Sequence, residues 1–319
     1  IMEETYGYIS IILGGMTISM CYNICASVLR AMGDTVMPLL FLIFSAFFNI
    51  FLDRFFMIEL HTGVQGAAYA TLISQFLSCI LCFFYIYIRY PILRLKRCDF
   101  AFHRSMIKEM YASGASMGFM MSLVSLGTLA LQSAINTLGT SIIIAHTAAR
   151  KITELYMMLF SVLGTTMATY SGQNLGAGNV HRIKDGIRKA IKAAWIWSVG
   201  VILITWLFAP QLIRLLTSTT DPEVIQNAVN YLRFDTAFYF VPSMITIIRN
   251  TMQGIGDYKT PIISSSIELI GKILVALFLA PALHYFGIIL AEPIVWILMV
   301  IPLILRIKTT PILKETAGV

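Results

Sequence analysis

Long apolar runs, broken by short polar stretches, dominate the chain. Each run is about 20 residues long or more, the length that a helix needs to cross a hydrocarbon core about 30 Å thick. The runs are continuously apolar and do not alternate like the strands of a lipid-facing barrel, so helices are the suitable spans. The pattern predicts an all-α polytopic membrane protein with nine transmembrane helices, at residues 6–29, 37–58, 65–90, 109–136, 141–171, 190–213, 226–252, 260–282 and 287–306.

The composition agrees with this fold class and excludes one group of partners. Of the 319 residues, 58% are hydrophobic and 12% are charged, and the mean hydropathy is +0.80. Soluble domains carry about twice that charged fraction. The net charge of +7 could indicate nucleic acid binding. The basic residues, however, lie in short loops between the spans and form no separate domain, so we expect no nucleic acid partner.

Neither a metal site nor an enzyme is indicated. Cys21 and Cys25, and likewise Cys79 and Cys82, lie within apolar runs without a nearby histidine. They are therefore interpreted as small buried apolar residues. There is no His-Glu-x-x-His motif and no nucleophile with an adjacent base, and the five histidines are scattered singly. A membrane-bound enzyme is the weakest interpretation, and no cofactor is expected.

The distribution of lysine and arginine predicts the orientation. Nine spans place the loops on alternate sides; one set carries 17 basic residues, among them Arg249, and the other carries 4, among them Arg150. The richer side is expected to be cytoplasmic, which puts the start of the chain outside and its C-terminus inside. Residues 91–108 form a basic cytoplasmic linker suited to anionic lipid, and residues 309–319 form a cytoplasmic tail.

A short polar phrase occurs twice. "AMGDTVMP" at 31–38 and "GIGDYKTP" at 254–261 share Gly, Asp and Pro at an offset of 223 residues, and Tyr8 matches Tyr231 at the same offset. Spans one to three therefore resemble spans seven to nine in a parallel repeat. We expect residues 1–90 to be the second half of one lobe and residues 109–308 to be a complete six-helix lobe. The same offset predicts about 115 further residues, with three more helices, before residue 1.

Ionisable residues inside spans are costly and are candidates for function. Asn49 and Asp53 lie four residues apart on one face of span two, where their oxygens could hold Na⁺ or where the carboxyl could exchange a proton. Alternatively, Asp53 simply marks the outer end of that helix. Glu268 and Lys272 have the same spacing, and they could form either a structural ion pair or a polar centre that binds substrate or a proton.

Other polar residues in the spans are weaker candidates. Asp235 has Arg233 close by in sequence, and Glu154 has Arg150 and Lys151, so a cation could neutralise either acid without any function. Gln132 and Asn136, again four residues apart, could line a cavity or join helices. Glu292 is assigned no role. The glycine-rich stretch "GQNLGAGN" at 172–179 has no strand before it and no following lysine, so it predicts a tight turn and not a phosphate site.

Four longer stretches resemble one transporter family. They are "SVLRAMGDTVMP", "NIFLDRFF", "GVQGAAYATLISQ" and "TMATYSGQNLGAGNVHRIKDGIRKA". They are similar to the multidrug and toxic compound extrusion (MATE) family, and most to its bacterial branch related to the DNA-damage-inducible F protein. The resemblance implies a twelve-helix antiporter with two lobes, which expels cationic or amphipathic drugs in exchange for Na⁺ or H⁺. It also implies that Asn49 and Asp53, with Thr71 as a third member, belong to the cation site of the N-lobe.

The same resemblance sets the remaining expectations. It implies a monomer in the bacterial plasma membrane, with small-molecule drugs and lipid as partners. The family's first three helices are absent from this chain, so an inactive truncated fragment is one alternative. A lipid-linked oligosaccharide flippase of the same superfamily is another, although it would require several cationic residues in its cavity.

Overall fold

The computed structural model describes residues 2–94, 96, 102–217 and 221–314, and these contain helices and no strand. The all-α prediction is confirmed. The chain divides into two compact units, residues 1–102 and residues 103–319. Residues 95, 97–101 and 315–319, which fall in the predicted linker and tail, lie outside the described part. The helices are α1 (Met2–Gly14), α2 (Met16–Ala31), α3 (Val36–Arg54), α4 (Gly63–Arg89), α5 (Arg104–Asn136), α6 (Thr140–Gly176), α7 (Val180–Thr217), α8 (Pro222–Ala237), α9 (Phe240–Gly254), α10 (Lys259–Leu274), α11 (Ala280–Leu283), α12 (Tyr285–Thr309) and α13 (Pro311–Lys314).

The first unit contains α1 to α4. The predicted span 6–29 is a bent pair, because α1 and α2 meet at an angle of 44°. The bend lies at Gly14 and Gly15, where Gly15 packs so closely on the Leu72 side chain of α4 that a Cβ would require that side chain to move. α3 continues into a π-helical turn at Phe55–Glu59, and α4 begins directly after the following loop.

The second unit contains α5 to α13, and it divides the predicted span 226–252 into α8 and α9. Pro242 has no N–H to donate to the carbonyl of Phe238, which instead accepts from the N–H of Val241 at 2.9 Å. The buried Tyr239 side chain fills the break, with its ring centroid 5.8 Å from that of Phe160 and 6.2 Å from that of Trp296.

The predicted count of nine spans is not confirmed. Among the described residues, seven helices are long and apolar enough to cross a membrane, or eight if the bent pair α1–α2 is one span. α8 and α9 have 16 and 15 residues, and neither alone reaches the length of a span.

The two copies of the polar phrase have the same turn geometry. Gly33 and Gly256 have φ angles of +87° and +85°, in the left-handed region that favours glycine. The N–H of Asp34 donates to the carbonyl of Leu29 at 2.9 Å, and the N–H of Asp257 donates to that of Met252 at 2.8 Å. Both bonds obey the offset of 223 residues. The stretch at 172–179 also forms a tight turn, with φ of +72° at Gly178.

Each turn aspartate caps the helix that follows it. Its side chain also hydrogen-bonds to the third span of its copy of the repeat, α4 in the first copy and α12 in the second. Asp34 accepts from the N–H of Met37 at 3.1 Å and from the Tyr85 hydroxyl of α4 at 3.0 Å. Asp257 accepts from the N–H of Thr260 at 3.1 Å and from Arg306 Nε of α12 at 2.7 Å. Both copies of the repeat therefore contain the same interaction: a carboxylate that caps the N-terminus of one helix and also bonds a helix remote in sequence.

These bonds lower the pKa of both carboxyls. For Asp34 the main cause is the backbone N–H of Met37, and for Asp257 the bonds from Arg306 and Thr260 outweigh the opposing effect of burial. The stabilisation from a lowered pKa is present above the unfolded-state value and is lost as the pH falls through the folded-state value.

We expect Asp257→Asn to lower the free energy of unfolding by about 1.5–3 kcal/mol at neutral pH, the usual range for a hydrogen bond to a charged group. The difference from the wild type should shrink as the pH falls below about 3.9, the ordinary pKa of aspartate. Thermal unfolding in detergent, followed by circular dichroism at both pH values, measures this. Asp185→Asn is the control, since Asp185 forms only exposed pairs with His181 and Arg188. Equal stability of Asp257→Asn and wild type at neutral pH would contradict the expectation.

Candidate functional site

Five charges of alternating sign form a chain through the interior of the second unit. Arg249 Nη2 of α9 lies 3.7 Å from Glu268 Oε2 of α10, and Glu268 Oε1 lies 3.0 Å from Lys272 Nζ. Lys272 Nζ is 3.2 Å from Glu292 Oε1 of α12, which is 3.4 Å from Arg150 Nη1 of α6. We call these five residues the charge chain. It joins four helices.

The charge chain is buried at its centre. The side chains of Lys272, Glu292 and Glu268 are 4%, 8% and 9% exposed. Ionised groups withdrawn from water require close partners of opposite sign, and here each carboxylate has two cations. With three cations and two carboxylates, the chain carries one positive charge in excess.

Sequence spacing predicts only one link of this chain. The pair Glu268–Lys272 was expected from its i, i+4 spacing, and the two side chains are in contact. Glu292, to which no role was assigned, is in fact bonded to two cations. Arg150 and Arg249 were counted with the loops, but both lie within helices and bind carboxylates. The only sequence signal for Arg249 and Glu292 is an isolated charge within an apolar run, and Arg150 stands beside Lys151 near the start of such a run.

Asp235 is a buried carboxyl outside the charge chain. Its Oδ2 accepts from the Thr153 hydroxyl of α6 at 3.4 Å, while its Oδ1 is buried and has no hydrogen-bond partner among the described residues. Arg233, the cation that could have neutralised it, forms no ion pair with it. Residues two apart on a helix do not share a face, and Arg233 bonds the carbonyl of Trp206 on α7 instead. The hydroxyls of Tyr231 and Tyr239 are buried nearby, and that of Tyr239 lies close enough to Asp235 to interact with its carboxyl, although neither hydroxyl has the geometry of a formed hydrogen bond with a described residue.

A cavity of about 200 Å³ leads to the Arg150 end of the charge chain. Its wall includes the Gln132 amide, which donates through Nε2 to Asn136 Oδ1 at 2.9 Å. Thus Gln132 lines the cavity, and Asn136 holds the Gln132 side chain. Glu154 also lines the cavity and forms an exposed ion pair with Lys151, as the sequence suggested. The cavity connects these exposed residues with the buried Glu292.

In the first unit, the predicted cation site contains two unpartnered atoms. Asn49 Nδ2 and Asp53 Oδ1 are both buried and lack hydrogen-bond partners within the described residues. Thr71 of α4 donates to the carbonyl of Ala67 at 2.9 Å, and no hydrogen bond joins it to Asn49 or Asp53 in residues 2–94. Asn49 and Asp53 share a face of α3, which packs against α4.

The cysteines differ from the expectation of burial. In the described residues only Cys82 is buried, whereas Cys21 is exposed and Cys25 and Cys79 are intermediate. These last three line an apolar cavity of about 310 Å³ between α2 and α4. No group of three or more His, Cys, Asp or Glu side chains in the described part of the chain could hold a metal ion.

These four carboxyls within the helices thus fall into two classes. Glu268 and Glu292 are each bound by two cations within the charge chain. Asp53 and Asp235 have an oxygen that is buried and unpartnered. An unpartnered buried oxygen is costly unless a proton, an ion or another group satisfies it part of the time. These two carboxyls therefore differ from Glu268 and Glu292 in having no cationic partner among the described residues.

The chain resembles known proteins over most of its length. A family model described as MatE matches residues 116–278. The probable multidrug resistance protein YpnP of Bacillus subtilis is 27% identical over 242 residues, 75% of this chain and 52% of that protein. The probable multidrug resistance protein NorM of Thermotoga maritima is 26% identical over 315 residues, 94% of this chain and 64% of that protein.

A solved structure has the same fold. It is a crystal structure of MATE in the bent conformation, with a TM-score of 0.86 and 24% sequence identity, and the match covers 98% of this chain and 70% of that one. The chain spans between half and two thirds of the length of the two relatives named above.

Proposed function

The chain belongs to the MatE family, whose members are transporters and not enzymes, and on that premise we propose that it takes part in cation-coupled export of drugs. The observation that carries the proposal is a pair of carboxyls that each have one buried oxygen without a hydrogen-bond partner among the described residues, Asp53 in the first unit and Asp235 in the second. The small molecules exported would be cationic or amphipathic.

The proposed mechanism uses these two carboxyls as exchange sites. A carboxylate that holds Na⁺ or a proton is neutral as a unit, and one that has lost it attracts a cationic drug. At Asp53, the amide oxygen of Asn49 would be a second ligand for Na⁺, since hard cations prefer oxygen. At Asp235, the hydroxyls of Thr153, Tyr231 and Tyr239 are the available neighbours. Na⁺ and H⁺ are both compatible with this chemistry.

The charge chain is assigned a supporting role in this proposal. Glu268 and Lys272 neutralise each other and their neighbours, so neither is free to exchange an ion without leaving another charge exposed to low dielectric. Gln132 and the cavity beside Arg150 offer a polar route from the helix surface toward the charge chain. Asn136 would keep the Gln132 amide in place along that route.

A lipid-linked oligosaccharide flippase is the second candidate, and the charge pattern speaks against it. A pyrophosphate group would need several cations that are not already bound to carboxylates. Arg150 and Lys272 are both within 3.4 Å of Glu292. Arg233 lies on a different face of α8 from Asp235, and it would have to bind the pyrophosphate without a second cation.

We further propose that the protein lies in the bacterial plasma membrane with the C-terminus inside. Removing Arg150 and Arg249 from the loop counts changes the bias of basic residues from 17 against 4 to 16 against 3. The positive-inside bias therefore still favours the same orientation. Lipid and small-molecule drugs are the proposed partners, and the active form is proposed to be a monomer.

Vesicles reconstituted with the protein should move ethidium, an aromatic cation, when a Na⁺ or H⁺ gradient is imposed. Asp53→Asn should reduce this transport to the level of protein-free vesicles, because it removes the charge and keeps the shape. Glu59→Gln is the matched control, since Glu59 is exposed at the end of the π-helical turn after α3. Undiminished transport by Asp53→Asn at equal protein content would refute the role of Asp53, and transport independent of either gradient would refute the antiport.

A further inference from the structure

The face of α8 opposite Asp235 borders a second cavity in the same unit. The cavity has a volume of about 470 Å³ and lies between α7, α8 and α12. Two of these helices, α7 and α12, are long and apolar enough to cross a membrane. We call it the aromatic groove, because five aromatic rings and three polar side chains account for much of its wall. The rings include Trp206, Phe234 and Phe286, and the polar residues are Asn227, Asn230 and Arg233.

Arg233 brings an uncompensated positive charge to the aromatic groove. No carboxylate forms an ion pair with it among the residues that the structure describes, in contrast to Arg150, Arg249 and Lys272. Its Nε atom is buried without a hydrogen-bond partner. The residue as a whole is half-buried, and a cation at the depth of membrane-spanning helices favours an anionic partner.

The position of the guanidinium is fixed by α7. Pro210 has no N–H, so the carbonyl of Trp206 one turn earlier loses its helical donor. Arg233 Nη2 donates to that carbonyl at 3.0 Å, and its guanidinium carbon lies 5.5 Å from the centre of the Trp206 ring. One N–H of Arg233 therefore satisfies the carbonyl that Pro210 leaves free in α7, and the Trp206 ring makes a cation–π contact with the guanidinium. This bond uses one N–H and leaves the charge of the group unneutralised.

The rim of the aromatic groove is accessible and apolar. Trp206 and Phe286 are 54% and 52% exposed. At the depth of membrane-spanning helices, acyl chains are the material that covers such rings. Asn227 and Asn230 add amide groups beside the cation, and Asn230 Oδ1 is fixed as an acceptor from Gln226 Nε2 at 2.8 Å. A ligand that matches this surface has an apolar tail, a negative group and hydroxyl or ester oxygens.

We propose that the aromatic groove binds an anionic phospholipid. The phosphodiester would lie against the Arg233 guanidinium, and a hydroxyl-bearing headgroup such as glycerol would lie beside Asn227 and Asn230. One acyl chain would lie along Phe234 and Phe286. Guanidinium groups match phosphate oxygens well in geometry, and the aromatic rings supply the apolar contact. The residues of α8 that line the groove lie on the face opposite Asp235, so lipid binding here does not require cation exchange at that carboxyl.

The test uses Trp206 as its own probe. In the full chain, Trp195, Trp197 and Trp296 are replaced by phenylalanine, so that fluorescence reports only the aromatic groove. The protein is reconstituted into phosphatidylcholine vesicles that contain equal mole fractions of brominated phosphatidylglycerol or brominated phosphatidylcholine. Bromine quenches tryptophan on contact. We expect an about fivefold preference for the anionic lipid, the fold-change that corresponds to about 1 kcal/mol for one basic residue near an anionic surface.

Three variants separate the charge from the fold. Arg233→Gln keeps a donor for the Trp206 carbonyl and should abolish the preference, whereas Arg233→Lys should retain most of it. Arg214→Gln is the matched control. Arg214 is exposed near the end of α7, the helix that carries Trp206, and its replacement should leave the lipid preference unchanged. If Arg233→Gln does not fold, the wild-type preference and its retention in Arg233→Lys still decide the matter.

Four results would overturn the proposal. They are equal quenching by the two lipids, quenching by neither lipid, a preference that persists in Arg233→Gln, and relief of quenching by inorganic phosphate at constant ionic strength. The second result would mean that protein covers the groove. The fourth would identify a soluble phosphate as the ligand instead of a lipid.

Discussion

Glu292→Gln should deprive the protein of most of its folded yield. The change leaves Arg150 with no carboxylate in the charge chain and leaves Lys272 with Glu268 alone. Removing one partner of a buried pair costs about 3–5 kcal/mol. The whole stability of a protein is about 5–15 kcal/mol, so a loss of this size removes a large part of the margin. Size-exclusion chromatography of the solubilised membrane fraction, at equal expression, measures the monodisperse yield.

Controls for this change follow from the same pairs. Glu154→Gln breaks an exposed ion pair with Lys151 and should leave the yield unchanged. Adding Arg150→Met to Glu292→Gln should restore much of the yield, because the two changes together remove one charge of each sign and leave Arg249 and Lys272 paired with Glu268, with the same single positive excess as in the wild type. A yield of Glu292→Gln equal to that of wild type would show that the charge chain is not what holds these helices.

A double change at Glu268 and Lys272 should fail to restore the yield. If these two residues were an isolated pair, removing both would leave no charge behind. The structure adds Arg249 to Glu268, so the double change to Gln and Met leaves Arg249 without a carboxylate partner in the described part of the chain. We therefore expect the double variant to express poorly, and a normal yield would restore the isolated-pair interpretation.

Asp235→Asn should preserve the fold and abolish transport. No cation is left unpaired by this change, since Asp235 forms no ion pair with a described residue, and the Thr153 hydroxyl can still donate to the amide oxygen. The exchange site would be lost because an amide neither binds a proton near neutral pH nor neutralises Na⁺. Ethidium transport should therefore fall to the level of protein-free vesicles at near-normal yield.

The control for Asp235→Asn is Thr153→Val, which removes the hydroxyl donor and keeps the carboxylate. We expect reduced but measurable transport, because one neutral hydrogen bond contributes only about 0.5–1.5 kcal/mol. Full transport by Asp235→Asn would exclude Asp235 as an exchange site. A variant that fails to fold would instead show that the carboxylate has a structural partner.

The helices, their apolar character and the repeated turns could be predicted from the sequence because each depends on neighbours along the chain. The glycines at 33 and 256 and the aspartates that follow them specify the same bonds at the same offset. The contact between Glu268 and Lys272 follows equally from i, i+4 spacing on one helix.

The rest of the charge chain depends on helices distant in sequence. Arg150 and Glu292 are separated by 142 residues, and no local spacing brings them together. The orientation of the Arg233 side chain depends on Pro210 in α7. Because Pro210 has no N–H, the Trp206 carbonyl is left to accept from Arg233. The break between α8 and α9 had a local signal in Pro242, but length and hydropathy alone favoured one continuous span. Tertiary pairing and proline chemistry account for these differences.

The central claim is that Asp53 and Asp235 exchange small cations for drug while Glu268 and Glu292 hold the fold. Cation release on addition of saturating ethidium to the purified protein tests it most directly. A pH electrode in weakly buffered, sodium-free solution reads H⁺, and a sodium electrode in buffered solution reads Na⁺. The wild type should release one of these ions, each single change to asparagine should reduce the release, and the double variant Asp53→Asn, Asp235→Asn should release none. Release from the double variant equal to that of wild type would contradict the claim.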